Sequence, residues 1–85
     1  MMAEYEFIFA SNLKTKLIEK VKGGVKTWIT NDELHVSILV RESDIQFEHV
    51  IPNISKLILN NYTSDYAAYQ VMQVYKNYIR NKFFK

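Results

Sequence analysis

The stretch that decides the fold is residues 23–52, GGVKTWITNDELHVSILVRESDIQFEHVIP. It contains three runs rich in β-branched and aromatic residues, separated by clusters of turn-forming residues at 30–33 and 41–44. Within each run, apolar residues recur at every second position, which is the period of a strand with one buried face. We therefore predict three β-strands joined by two short turns.

Two hairpin registers, found independently, place the apolar residues of all three strands on the same side. A two-residue loop at 31–32 pairs Val25 with Ile38, and a four-residue loop at 41–44 pairs Ile38 with Phe47. A slip of one residue would turn every side chain to the opposite face, so this agreement strongly favours both registers. We predict a three-stranded antiparallel meander that is polar on its other face.

A short helix is predicted before the meander. Ser11 or Asn12 caps it, and Gly23–Gly24 ends it with one glycine in a left-handed conformation. Its apolar stripe is formed by Leu13, Leu17, Ile18 and Val21.

Residues 4–10 can extend this helix or form a separate element, including an additional N-terminal strand. As a helix, a stripe through Tyr5 and Phe9 would continue onto Lys16 and Lys20, so we favour a separate element.

Two helices are predicted after Pro52. Asn60–Asn61 interrupts the helical pattern, and Thr63 or Ser64 can cap a second helix that runs to the C-terminus. One bent helix over residues 53–84 is the alternative. The apolar arc of the last helix should face the sheet and comprises Ala68, Val71, Met72, Tyr75, Tyr78, Ile79 and Phe83.

These elements predict a single α+β domain over residues 1–85, with order α-β-β-β-α-α and helices packed on one face of the sheet. A chain this short buries a modest core, so homodimerisation would be a natural way to bury more surface. There is no cysteine, Glu4 and Glu6 lie where a signal peptide is positively charged, and no apolar run approaches the length of a membrane span. We expect a soluble cytoplasmic protein without a membrane partner.

Residues that could carry chemistry are scattered. In the predicted register His35 and His49 lie on opposite faces of the sheet and cannot bind one metal ion. Acidic residues, among them Asp32, cluster in the two turns, where we expect their side chains to bond to local backbone. There is no glycine-rich phosphate loop, no zinc-binding helix motif and no nucleophile paired with a base. We predict a non-enzymatic protein with no cofactor, no metal and no evident small-molecule substrate.

The polar sheet face offers a candidate docking surface. Trp28, His35 and Val50 form one row across the three predicted strands, and Leu39 lies further along. An exposed tryptophan among apolar neighbours is typical of a protein-binding hot spot. Phe84, at the C-terminus, is a further candidate for contact with a protein partner or a second copy. The alternative is that residues 5–9 pack over this face.

The charge distribution supports a second function, weak nucleic-acid binding. Residues 11–26 carry a net charge of +4, residues 31–48 carry −4, and residues 66–85 carry +4. Lysine contacts to phosphates would give salt-sensitive binding without sequence preference. Only two arginines are present for base recognition, and Glu48 would repel phosphate from the sheet face. The candidate residues are Lys14, Lys16, Lys20, Lys22, Lys76, Arg80 and Lys82.

Two stretches carry a resemblance to known proteins: GVKTWITNDELHVSI at 24–38 and NYTSDYAAYQVMQVYKNYIRNKFFK at 61–85. They resemble small proteins from the early regions of temperate phages and prophages of low-GC Gram-positive bacteria. The resemblance covers about half of the chain and implies a phage-encoded accessory role. It brings with it no known catalytic or binding residue.

Overall fold

The computed structural model describes residues 2–40 and 43–83, with side chains from residue 4 onward. The three strands form one antiparallel sheet in the order β1-β2-β3. The α+β class, the element order and the pair of C-terminal helices are confirmed. The elements are α1 Met2–Lys20, β1 Gly23–Thr30, β2 Glu33–Val40, β3 Gln46–Ile51, α2 Ile54–Leu59 and α3 Ser64–Phe83.

Both predicted hairpin registers are confirmed. Val25 pairs with Ile38, and Ile38 pairs with Phe47. Asn31 and Asp32 form the two-residue loop with φ values of 53° and 60°, the backbone of a tight hairpin turn with left-handed central residues. Residues 41 and 42 of the second predicted loop lie outside the described residues.

The hydrophobic core lies between one face of the sheet and the helices. Every second residue of the central strand β2, at Leu34, Val36 and Ile38, is almost completely buried. The helices contribute a second set of side chains with no more than 1% exposure, so the core is continuous from sheet to helices. This set comprises Leu13, Leu17, Ile54, Ala67, Ala68 and Val71.

Helix α1 differs from the prediction. It runs unbroken from Met2 to Lys20, so a separate element at 4–10 is wrong, as is a cap at Ser11 or Asn12. Its buried stripe follows Phe9, Leu13 and Leu17 in steps of four and does not drift onto the lysines. Ile18, predicted within the stripe, is 51% exposed because it lies one residue, or about 100° of helix rotation, beyond Leu17.

The glycine pair does not cap α1. Gly23 and Gly24 are the first residues of β1, and the φ of Gly23 is 158°, far from the left-handed region. The predicted left-handed glycine cap is therefore wrong. The last turn of α1 is closed by a hydrogen bond of 3.0 Å from the Val21 amide to the Leu17 carbonyl.

The two C-terminal helices are separated as the asparagine pair predicted. Asn61 adopts a left-handed φ of 65° just after α2, and the Thr63 Oγ1 accepts a hydrogen bond of 3.1 Å from the Tyr66 amide at the start of α3. Thr63 is thus the cap of α3. Near the start of α3, the residues of the predicted apolar arc are buried, as at Ala68, Val71 and Met72. Phe83, at the end of the arc, is largely exposed.

The β1–β2 turn also holds the start of α2. The Asp32 carboxylate accepts hydrogen bonds from the Ser55 amide at 3.0 Å and from the Ser55 hydroxyl at 2.9 Å. The Asp32 backbone carbonyl accepts a third, of 3.0 Å, from the Ile54 amide. The residue just before α2, Asn53, makes no side-chain cap of its own. Asp32 therefore caps a helix more than twenty residues away, where sequence analysis expected only local turn bonds.

Candidate docking surface

The face of the sheet opposite the helices, which we call the outer face, carries the predicted row of three residues. Trp28 pairs with His35 across β1 and β2, and His35 pairs with Val50 across β2 and β3. Trp28 is 42% exposed and Val50 is 41% exposed, whereas His35 between them is half-buried. All three side chains therefore lie together on the outer face, as predicted.

The indole of Trp28 is ordered by its neighbour. The Trp28 and His35 rings stack with centroids 5.1 Å apart and planes only 5° from parallel. The Glu33 Oε1 lies 3.7 Å from the His35 Nε2, close enough for an ionic contact when the imidazole is protonated. A large aromatic surface held in one orientation loses little conformational entropy when it is buried against a partner.

Two further rows lie beyond the Trp28 row toward the Leu39 end of β2, and the Thr30–Glu33 pair forms a row at the other end of the outer face. Lys26, Ser37 and Glu48 form the middle row, with the lysine on β1 and the glutamate on β3. Ser37 is buried and accepts a hydrogen bond from the Gln46 side chain, whereas Lys26 and Glu48 are exposed. The third row places Leu39, which is 51% exposed, beside Gln46. The outer face thus alternates an apolar row, a charged row and a leucine row.

The N-terminal segment does not cover this face. Residues 4–10 belong to α1, where Phe9 and Ala10 enter the core on the inner side of the sheet. Phe7 lies outside the core and is 71% exposed. It lines a cleft of about 420 Å³ with Trp28 at the β1 edge of the sheet. The apolar surface around Trp28 thus extends onto α1, a continuation that sequence analysis missed because it did not place Phe7 on a helix.

Phe84, the remaining partner-binding candidate, lies outside the described residues.

The seven basic candidates do not all line one cleft. Lys16, Lys20 and Lys76 line a groove of about 490 Å³ between α1 and α3, together with Tyr69. Arg80 lines a separate cleft with Lys76, and the Lys82 ammonium lies 5.9 Å from the Tyr78 ring centroid. Lys14 and Lys22 are exposed but line neither of these clefts.

Acidic residues partly neutralise the groove between α1 and α3. The Lys16 Nζ lies 2.6 Å from an Asp65 carboxylate oxygen. The hydrogen bond and the charge of Asp65 raise the pKa of Lys16 above its ordinary value. Glu19 lines the same groove. A phosphate entering it would therefore meet two carboxylates as well as three cations, which weakens the electrostatic attraction.

The remaining titratable groups are dispersed. His49 lies on the inner side of β3, half-buried beside Phe47, and its burial lowers the pKa of the imidazole. Burial also raises the pKa of the Tyr62 and Tyr75 hydroxyls. Across residues 2–40 and 43–83, no three histidine or acidic side chains lie close enough together to hold a metal ion. In the same ranges, no helix has both the length and the apolar character needed to cross a membrane.

Comparison of the chain with protein-family models, with curated proteins and with solved structures found no match.

Proposed function

We propose that this chain is a small non-enzymatic binding module, encoded by a phage or prophage, that docks a protein partner or a second copy of itself. The docking surface is the outer face of the sheet, with Trp28, His35, Leu39 and Val50 as its contact residues. One observation carries the proposal: Trp28 is 42% exposed although it is stacked in a fixed orientation on His35. The opposite face of the same sheet buries the core.

The energetics favour use of the outer face for binding. Because Trp28 is 42% exposed, a partner can cover less than half of the roughly 150–250 Å² that a tryptophan buries, and apolar burial contributes about 25 cal/mol per Å². Val50 and Leu39 add apolar area on either side of the charged row. Central aromatic anchors with a polar surround are the usual composition of a binding hot spot.

A non-enzymatic role is supported by how the polar groups of the described residues are used. His35 stacks on Trp28, while His49 lies on the opposite face of the sheet. Asp32 is engaged in capping α2. The Ser55 hydroxyl donates a hydrogen bond to Asp32, and neither histidine is bonded to it, so the described residues form no serine–histidine pair of the kind that nucleophilic catalysis uses.

A photoreactive amino acid at position 39 tests the proposed surface in cells that express the chain. Leu39 is exposed on the central strand of the outer face, and Val74, an exposed apolar residue on α3, gives a matched control position. We expect a discrete covalent adduct from position 39, to another polypeptide or to a second copy, and none from position 74. Equal labelling from both positions, or none from position 39, would reject the outer face as the docking surface.

A second candidate function is weak nucleic-acid binding, favoured by the convergence of Lys16, Lys20 and Lys76 on one groove beside Tyr69. Three phosphate contacts to a single strand predict a loss of affinity of about 20-fold between 50 and 200 mM salt. A mobility shift with single-stranded DNA at both salt concentrations measures this. The variant Lys20→Glu/Lys76→Glu should abolish the shift seen at low salt. No binding by the unmodified chain at either concentration removes this function.

A further inference from the structure

We infer that the outer face pairs with the outer face of a second copy, around a twofold axis that runs parallel to β2. This inference rests on the proposed function, because it names the partner of the same docking surface. It is carried by the order of charges in the middle row, where Lys26 on β1 and Glu48 on β3 flank Ser37 on β2.

Symmetry and sheet packing restrict the ways in which two outer faces can meet. A dimer of identical chains uses the same patch on both copies, related by a twofold axis. Two sheets packed face to face keep their strands nearly aligned, about 10 Å apart. Aligned packing allows the axis to run either along the strands or across them. These two arrangements bring different residues together.

The charges distinguish the two arrangements. With the axis along β2, β1 of each copy lies over β3 of the other, so Lys26 faces the partner's Glu48 and Glu48 faces the partner's Lys26. With the axis across the strands and through the middle row, Lys26 would face its own equivalent and Glu48 would face its own equivalent. Like charges brought together at an interface are costly, and opposite charges fix the register. The middle row is therefore self-complementary only for the axis along β2.

The other rows agree with this axis. Trp28 on β1 and Val50 on β3 occupy one row, so each indole would cover the partner's Val50. Leu39 lies on the central strand near the axis, so its side chain would meet the partner's Leu39. Aromatic and aliphatic surfaces thus face each other in these contacts, and His35 on the central strand would meet the partner's His35. Glu33, at the end of β2, would meet the partner's Glu33 at the rim of the interface, where water and salt screen the repulsion.

The size of the outer face sets the expected strength of this dimer. Three strands by six residues cover roughly 14 Å by 20 Å of flat area, which is small beside the 800 Å² or so per partner of a standard interface. We therefore expect self-association with a dissociation constant of roughly 10 μM to 1 mM. Phe7, exposed in the cleft beside Trp28, can add area at the β1 edge.

Charge-reversal variants test the arrangement by sedimentation equilibrium at low salt. Lys26→Glu and Glu48→Lys each place two like-charged contacts in the interface. The dissociation constant of each variant dimer should therefore be about tenfold higher than that of the unmodified chain. The double variant restores opposite charges and should recover the original affinity. An equimolar mixture of the two single variants should form a heterodimer more tightly than either variant pairs with itself.

Lys76→Glu is the matched control for Lys26→Glu, and Glu19→Lys is the matched control for Glu48→Lys. Each control changes the net charge as its test variant does, but lies in the groove between α1 and α3, away from the outer face. Both should dimerise as the unmodified chain does. Circular dichroism of every variant checks that folding is retained.

Single variants that dimerise as well as the unmodified chain would overturn the axis along β2. An unmodified chain that stays monomeric at about 1 mM would overturn self-association. If position 39 still captured a different polypeptide, the docking function would stand and only the second copy would be rejected. If the photoreactive residue at position 39 formed no adduct, the docking function and the pairing with a second copy would both be rejected.

Discussion

At the residue scale, Asp32 has a structural role that its position in a turn conceals. Its place in a hairpin loop, where acidic residues are common, predicts only local bonds. The structure shows its carboxylate bound to Ser55 at the start of α2. No sequence pattern signals a cap supplied by a residue so distant along the chain. The contact depends on how the sheet and α2 pack together.

Replacing Asp32 with glycine isolates this cap. Glycine accepts the left-handed φ of 60° without strain, so the change removes mainly the two side-chain hydrogen bonds. We expect the free energy of unfolding to fall by about 1–2 kcal/mol, measured by urea denaturation. Asn31→Gly, at a φ of 53° in the same turn, is the matched control and should change stability little. Equal effects of the two variants would show that the cap does not stabilise the fold.

His49 gives the fold a dependence on pH. Burial lowers the pKa of its imidazole below the ordinary value of 6.5, so the unfolded chain binds this proton more readily than the folded one. The contribution of His49 to stability is therefore complete above pH 6.5. It is lost progressively as the pH falls from 6.5 through the lowered pKa of the folded state.

Urea denaturation between pH 7.5 and pH 5 measures this effect. The unmodified chain should lose stability over that range, and His49→Leu should lose less, because it removes the buried titrating group. Identical pH profiles for the two proteins would contradict the assigned cause.

At the element scale, the strands were predictable and the first helix was not. Alternation with a period of two, joined to a two-residue turn, leaves one register that places the alternating apolar residues of all three strands on the same face, as Val25, Ile38 and Phe47 show. For a helix, by contrast, several slightly different rotations about its axis bury a similar set of apolar residues. The sequence alone did not separate a stripe through Leu17 from one that includes Ile18, nor did it reveal that residues 4–10 continue α1.

Adjacent alanine substitutions in α1 test the observed phase. Leu17→Ala removes a side chain with no exposure and should lower the free energy of unfolding by about 2–5 kcal/mol. Ile18→Ala removes a side chain that is 51% exposed and should cost less than about 1 kcal/mol. Thermal and urea denaturation of both variants provide the comparison. A larger loss for Ile18 than for Leu17 would mean that α1 is rotated from the orientation described here.

At the scale of the whole molecule, the placement of the docking candidates was predictable because it follows from strand parity. Once the register was fixed, Trp28, His35 and Val50 had to share a row opposite the core. The stacking of Trp28 on His35 and the cleft shared with Phe7 depend on rotamers and helix position, which strand parity does not determine. The division of the lysines among separate clefts likewise depends on the packing of α1 against α3.

Acrylamide quenching of tryptophan fluorescence gives the most direct test, because Trp28 is the one tryptophan of the chain. In a dilute solution of folded chains, the quencher should reach the indole, since the outer face is open to solvent. Protection should then increase with protein concentration, and Lys26→Glu should need about tenfold higher concentration for the same protection. A Trp28 already shielded in dilute folded protein, as a core residue would be, would contradict an open outer face and the docking function that depends on it.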